Sequence, residues 1–248
     1  MKYTEMNSGI ISSWVDKGWE WGTEITHEEY LAALEGRFSI VLTPTRRVPD
    51  DWILPIRGKK VLGLASGGGQ QLPILTALGA ECTLLDISDS QIEKDRMVAE
   101  REGYSINLVK GDMTEAFPFE DESFDIIINP VSDCFIETLD VFFSESHRVL
   151  RKGGTFISGL SLDINYVFDD DEMRMIHPLP FNPLKDPELM EELMASDSGV
   201  QFSHSIEESL RGLLKAGFMI DDLYQDTNGE GRIHEMGLPS FLAVRCTK

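Results

Sequence analysis

The sequence predicts an α/β protein built on a doubly wound, mostly parallel seven-stranded sheet that closes with a C-terminal antiparallel hairpin. Three observations lead there. Short apolar runs alternate with helical stretches between residues 58 and 160. A glycine cluster, Ser66-Gly67-Gly68-Gly69, directly follows the first apolar run. The last two runs, Phe218 to Tyr224 and Ser240 to Arg245, are joined by a polar loop with no helix between them. Strand–helix repetition gives right-handed crossovers and a parallel sheet covered on both faces, whereas strands joined without a helix pair antiparallel.

Each element has its own signal. Residues 1–54 hold all four tryptophans, Trp14, Trp19, Trp21 and Trp52. They predict two helices, one from about Ser8 to Lys17 and one opening at Thr26, where Glu29 completes a capping box. This N-terminal, Trp-rich segment either packs on the main domain, residues 55–248, or forms a lid over a ligand cleft. Lys60 to Ala65 reads as a buried strand, and a helical stretch runs to Leu78. Glu81 to Asp86 is the second strand. Ser88 with Gln91 opens a helix lasting to about Glu102. Ile106 to Lys110 and Phe124 to Asn129 are the third and fourth strands. Phe135, Leu139, Phe142 and Leu150 put an apolar stripe on the following helix, with Arg148, Arg151 and Lys152 near its end and Gly153 as a left-handed cap. Thr155 to Leu160 is the fifth strand. Residues 161–204 break the rhythm with ten acids against two bases and four of the eleven prolines, and read as an insertion forming an acceptor-side cap. Pro187 to Ala195 is its one short helix. Ser205 with Glu208 caps a further helix, with Ile206, Leu210, Leu213 and Leu214 at helical spacing up to Gly217.

Composition narrows the function. Acidic residues number 43 and basic residues 22, a formal net charge of −21. Such a surface repels phosphate backbones and anionic lipid, so neither nucleic acid nor a membrane is the expected partner. Cys82, Cys134 and Cys246 are few, distant and without CxxC spacing, which predicts idle thiols in a reducing compartment and neither a disulfide nor a metal site. The start of the chain has no signal-peptide pattern and no apolar run is long enough to span a bilayer, so the expected location is cytoplasmic. The acidic run Asp169-Asp170-Asp171-Glu172 reads as a solvated loop. The sequence assigns no oligomeric state.

The informative stretch is Val61 to Asp112. Ligands of open α/β sheets bind beyond the carboxyl ends of the strands, where the strand order reverses. Glycines after the first strand allow close backbone approach and offer N–H groups at a helix start. Asp86 ends the second strand, where a carboxylate can accept the hydroxyls of a ribose. Asp112 follows the third, where it can accept the exocyclic amine of adenine. With these residues, Val61-Leu62-Gly63-Leu64-Ala65-Ser66-Gly67-Gly68-Gly69, Leu85-Asp86-Ile87-Ser88, Lys110-Gly111-Asp112-Met113, Phe117-Pro118-Phe119, Ser123-Phe124-Asp125 and Val149 to Gly154, the sequence resembles the class I S-adenosylmethionine-dependent methyltransferases. The resemblance implies their Rossmann-like fold, S-adenosylmethionine as cofactor and methyl transfer by in-line displacement to a small-molecule acceptor. It puts the methionine part of the cofactor against Ala65, Ser66, Gly67, Gly69 and Gln70. It puts the ribose on Asp86 beside Ile87, the adenine edge on Asp112 and Met113, and the methyl group near Asn129 and Pro130. Val131, Ser132 and Asp133 then face the acceptor.

Two positions depart from the family. Its first strand commonly carries an acid where this chain has Gly63, and a glycine where it has Ala65. Gly63 removes a carboxylate that usually helps to hold the cofactor ammonium; Ser66, Gln70, Gln71 or a residue of the Trp-rich segment is expected to replace it. Ala65 fits the turn if its φ is negative. His177, His204 and His234, in the insertion and the late loop, are the candidate general bases. Two other readings remain: a binding module for the same cofactor without turnover, suggested by Gly63, and an NAD(P)-dependent oxidoreductase, since Gly63 to Gly68 fits a loose dinucleotide fingerprint. The second lacks a Tyr-x-x-x-Lys or similar hydride-transfer set.

Overall fold

Seven strands form one sheet: β1 Lys60–Leu64, β2 Glu81–Asp86, β3 Asn107–Lys110, β4 Phe124–Asn129, β5 Leu150–Ser161, β6 Met219–Asp226 and β7 Phe241–Thr247, in the order β3-β2-β1-β4-β5-β7-β6. The computed structural model describes residues 2–169, 171–196 and 198–248; Asp170 of the acidic run and Met1 lie outside the described residues. The first five strands pair parallel, and β7 runs antiparallel between β5 and β6. The helices are α1 Tyr3–Asp16, α2 His27–Leu34, α3 Asp50–Ile53, α4 Gln71–Ala77, α5 Asp89–Glu102, α6 Asp140–Val149, α7 Pro187–Ser196, α8 Ile206–Ala216 and α9 Gly231–Glu235. The order reverses between β1 and β4, so a crevice opens beyond their carboxyl ends.

Each sheet face buries its own apolar cluster. On one, Val61, Leu84 and Ile128 meet Leu72 and Leu75 of α4, together with Ile25, Tyr30, Ile40, Trp52 and Ile53 from the N-terminal segment. On the other, Leu62, Ile127 and Phe156 meet Phe142 and Phe143 of α6 and Leu213 of α8. Much of residues 25–56 is therefore core, whereas α1 and the single helical turn at Glu20–Gly22 border the crevice. Thr26 and Ser205 cap α2 and α8 through their hydroxyls, and Ser88 caps α5.

One expected cap moves. Helix α6 stops at Val149 and the chain turns extended at Leu150, so Gly153, at φ +71°, sits inside β5 instead of ending a helix. Leu150 is wholly buried and pairs with Phe124, and the register of β4 on β5 shifts just beyond that pair. Burial of Leu150 between sheet and helices outweighs another half-turn of helix. The neighbouring Arg151 guanidinium then reaches Asp125 Oδ1 at 2.8 Å.

No helix among the described residues is long and apolar enough to cross a membrane. All three cysteines are buried and free. No group of three or more His, Cys, Asp or Glu side chains able to hold a metal occurs among the described residues.

Candidate functional site

A cavity of about 710 Å³ occupies the crevice at the strand tips. That volume is in the range of small-molecule sites. Ala65, Gly67, Gln70 and Gln71 line it after β1, Asp86, Ile87 and Gln91 after β2, and Gly111, Asp112 and Met113 after β3. Pro130, Val131 and Ser132 line it after β4, and Ser161, Asn165 and Tyr166 after β5. Trp14, Trp19 and Trp21 close it from the N-terminal side, while Trp52 lies elsewhere, donating from Nε1 to Asp222 at 3.1 Å.

The glycine turn does not offer its N–H groups to this cavity. Gly67 N–H donates to Asp86 Oδ2 (3.1 Å), Gly68 N–H to the Gln91 carbonyl (3.0 Å) and Gly69 N–H to Asp95 Oδ2 (2.9 Å). What the turn can present to a ligand is therefore acceptors. Asp95, on α5, is an anchor that the sequence did not reveal; it has no exposed surface, and burial pushes its carboxyl up to about 8. Gly68 and Gly69 adopt φ +99° and +70°, and a Cβ at either would strike Gln91, Glu24 or Val98, so the turn needs glycine here. Ala65 also has positive φ, +44°, so the condition under which alanine fits this turn without strain is not met. Its N–H must reach the Leu85 carbonyl at 2.9 Å while the chain reverses, and that bond holds the alanine in the left-handed region.

Gly63 is a glycine for want of space. A Cβ there would overlap Ser66 Oγ and stand 2.9 Å from both terminal methyls of Leu72. Ser66 is consequently buried behind the strand tip, apart from the cavity lining. Gly69 is likewise no part of the lining. Gln70 borders the cavity but spends its amide on the Glu20 and Thr23 carbonyls at 2.9 and 3.0 Å. Gln71 is 4% exposed and also borders the cavity; its Oε1 has no hydrogen-bond partner.

Asp86 is buried, accepts from Ser88 N–H at 2.9 Å as well as from Gly67, and is pushed up by burial to about 6. Asp112 accepts from the Thr114 backbone and hydroxyl at Oδ1. Two carboxylates around one cavity suit an adenosine derivative, whose hydroxyls and exocyclic amine are donors.

Several expected residues stand away from the cavity. Asn129 is wholly buried, donating to the Leu64 carbonyl (2.8 Å) and Ser132 Oγ (2.7 Å) and accepting from Ser158 Oγ (2.9 Å), so it fixes β4 to its neighbours. Asp133 is also wholly buried and takes the Ser161 N–H with both oxygens. The three histidines correct the expectation of a base, since none borders the cavity. His204 is buried with Nε2 2.9 Å from the Ile136 carbonyl, His177 packs edge-on against Phe181, and His234 pairs Nδ1 with Thr227 Oγ1 on the surface. The insertion instead contributes Asn165, Tyr166 and Gln201, with Tyr166 Oη 3.3 Å from Gln201 Oε1 and 3.5 Å from Ser161 Oγ. Burial drives the Tyr166 phenol and the Cys134 thiol well above their ordinary values, so both are neutral.

Comparison with known proteins gives the same picture. A family described as Methyltransferase domain matches residues 62–158. The uncharacterized methyltransferase YbaJ of Bacillus subtilis is 38% identical over 233 residues, covering 90% of each chain. Sterol 24-C-methyltransferase ERG6B of Gibberella zeae is 37% identical over 124 residues, spanning 48% of this chain and 32% of that enzyme. The fold matches the crystal structure of an S-adenosylmethionine-dependent methyltransferase from Mesorhizobium loti with a TM-score of 0.65 at 18% identity, over 80% of this chain and 95% of that one.

Proposed function

This chain belongs to the class I S-adenosylmethionine-dependent methyltransferases, and from that premise we propose that it methylates a small, largely apolar molecule. Membership sets aside the nicotinamide-dinucleotide reading and that of a binding module without turnover. The observation that carries the substrate class is the acceptor end of the cavity. It is walled by Trp14, Phe135, Phe241 and Val131, its polar groups Ser161, Asn165, Tyr166 and Gln201 carry no charge, and a cation, Lys17, borders the cavity just after Trp14. A cationic acceptor among those uncharged groups would lack an opposite charge to offset desolvation. The sterol named in the relative ERG6B is a molecule of this kind.

The bound cofactor supplies an electrophilic methyl on a sulfonium, already a good leaving group. The protein's part is to align and to exclude water. In this reading Asp86 accepts from the ribose hydroxyls, and Asp112 with the Met113 amide meets the adenine edge. Pro130 to Ser132 form the wall past which the methyl group faces the acceptor. Asn129 acts one layer back by fixing Ser132 Oγ. Tyr166, held as a neutral phenol whose proton goes to Gln201 Oε1, orients a polar group of the acceptor by accepting a hydrogen bond at its oxygen. With the histidines outside the cavity, rate depends on alignment more than on proton removal.

The test uses S-adenosylmethionine labelled on its methyl group, with the purified protein and three extracts: neutral lipids and quinones, total RNA, and total protein. Label is expected in the organic phase. Label confined to RNA or protein would refute the small-molecule reading.

A further inference from the structure

We propose that Asn7 is a positioning residue for the methyl acceptor: it joins the N-terminal helix to the insertion and so fixes two walls of the acceptor end against each other. The inference rests on the acceptor reading above and adds a residue to it. Thr4, Asn7, Ile11 and Trp14 recur at three- and four-residue spacing on α1, so they share one face, and that face borders the cavity. Asn7 is 2% exposed, and both polar atoms of its amide are bonded to one residue of the insertion. Nδ2 donates to the Val200 carbonyl at 2.8 Å and Oδ1 accepts from the Val200 N–H at 2.7 Å, across 193 positions of sequence. A side chain thereby does for Val200 what a neighbouring strand would do. Val200 is wholly buried, and among the described residues its two main-chain groups have no other partner. Buried main-chain groups must be paired, so without Asn7 the segment has to move or admit water.

Each side of this junction carries a piece of the acceptor wall. On α1 it is Trp14, whose ring centroid lies 6.2 Å from that of Phe135. On the insertion it is Gln201, next to Val200, whose Oε1 stands 3.3 Å from Tyr166 Oη. Gly199, at φ +74°, lets the chain pass close under the helix: a Cβ there would stand 3.1 Å from Trp14 Cη2 and 3.5 Å from Asn7 Oδ1. One turn before Asn7, the rings of Tyr3 and Phe202 meet edge-on at 5.1 Å. A second face of α1 is fastened separately. Ser8 Oγ donates to the Ile87 carbonyl at 2.7 Å, Ser12 Oγ lies 2.9 Å from Ser88 Oγ, and Ser90 Oγ donates to Asp16 Oδ1 at 3.1 Å. These bonds hold the helix to the junction of β2 with α5, beside the ribose position, and none of them passes through Asn7. The seat of the cofactor and the wall of the acceptor therefore depend on different faces of one helix, and a change at Asn7 releases only the second.

The experiment measures donor and acceptor apart. Affinity for S-adenosylmethionine is taken by isothermal titration. Transfer of its labelled methyl into the extract of neutral lipids and quinones is followed over a dilution series of that extract, at saturating S-adenosylmethionine. Asn7→Leu keeps a similar volume and removes both bonds. It is expected to keep S-adenosylmethionine affinity within about twofold while the transfer rate at limiting extract falls about tenfold to a hundredfold, the loss that a misplacement of about an ångström causes. Gly199→Ala presses on the same junction from the other side, through Trp14 and a positive φ, and is expected to show the same split. In either variant, transfer at the wild-type rate, or a loss of donor affinity as large as the loss of transfer, would overturn the assignment. Should Asn7→Leu not fold, Gly199→Ala decides by the same two readings. A wild type that binds S-adenosylmethionine but leaves no label in the extract would instead overturn the acceptor reading, and this inference with it.

Discussion

The proposed contact of Asp86 with the ribose makes cofactor binding depend on pH in a way that can be measured directly. Burial pushes its carboxyl up to about 6, against hydrogen bonds from the Ser88, Gly67 and Ile87 amides that pull it down. Ribose hydroxyls donate, so they bind the ionised form. Affinity for S-adenosylmethionine should therefore rise with pH through about 6 and level off above it. At pH 5 roughly one-tenth of the carboxyl is ionised, which makes binding about tenfold weaker than at pH 7, or about 1.4 kcal/mol. Asp86→Asn should remove that slope and weaken binding at pH 7 by roughly 1.5–3 kcal/mol. Linkage sets the opposite sign for the ligand-free fold. A carboxyl raised from 3.8 to about 6 holds more protons folded than unfolded. Its contribution to stability is present at low pH and lost as pH rises through that window. Trp14, Trp19 and Trp21 line the cavity, so ligand titrations followed by their fluorescence between pH 5 and 7 report on binding. Equal dissociation constants at the two ends, or a wild-type slope retained in Asp86→Asn, would refute the argument.

Three further substitutions probe the strand tips. Gly63→Ala places a Cβ against Ser66 Oγ and Leu72 and should cost about 1–3 kcal/mol in urea unfolding; an unchanged midpoint would mean that the space is open. Ala65→Gly relieves a left-handed alanine, worth about 1–2 kcal/mol, against about 0.4–1 kcal/mol of added chain entropy when unfolded. The melting temperature should rise slightly, and a fall would dispose of the strain. Asn129→Ala removes the amide donor to the Leu64 carbonyl and Ser132 Oγ, leaves the Ser158 hydroxyl only the Gly159 carbonyl, and should destabilise by at least about 2 kcal/mol, a loss that a denaturation curve matching the wild type would contradict.

Much of the sheet was legible because its strands are apolar runs with sharp ends. The second and fourth strands coincide residue for residue with expectation, each stopping at a polar side chain, Asp86 or Asn129. The hairpin followed from the short polar stretch before β7, but that stretch is not helix-free as expected: Gly231–Glu235 forms the single-turn helix α9, too short for a parallel crossover. What sequence could not supply was direction and depth. Asp95 sits in the charged run Glu93-Lys94-Asp95-Arg96, which reads as a solvated helix face; only the docking of α5 under Gly69 shows that one of the four is buried. The histidines fall in segments near the cavity, yet the rings pack on Phe181, Ile136 and Thr227, because tertiary contacts and not chain position orient a side chain. The positive φ of Ala65 depends on a bond to β2 that no local pattern encodes.

The stretch from Glu20 to Ile25 is fastened to the glycine turn and to α5 through its own main chain: the carbonyls of Glu20, Trp21, Thr23 and Ile25 receive Gln70, Gln91 and Arg101, and the Ile25 N–H reaches Gly69. Apart from the Glu24–Lys94 ion pair at 2.7 Å, such fastening does not depend on which side chains the stretch carries. Descendants of this chain can thus redecorate that wall, and with it the range of molecules accepted, without disturbing the seat of the methyl donor.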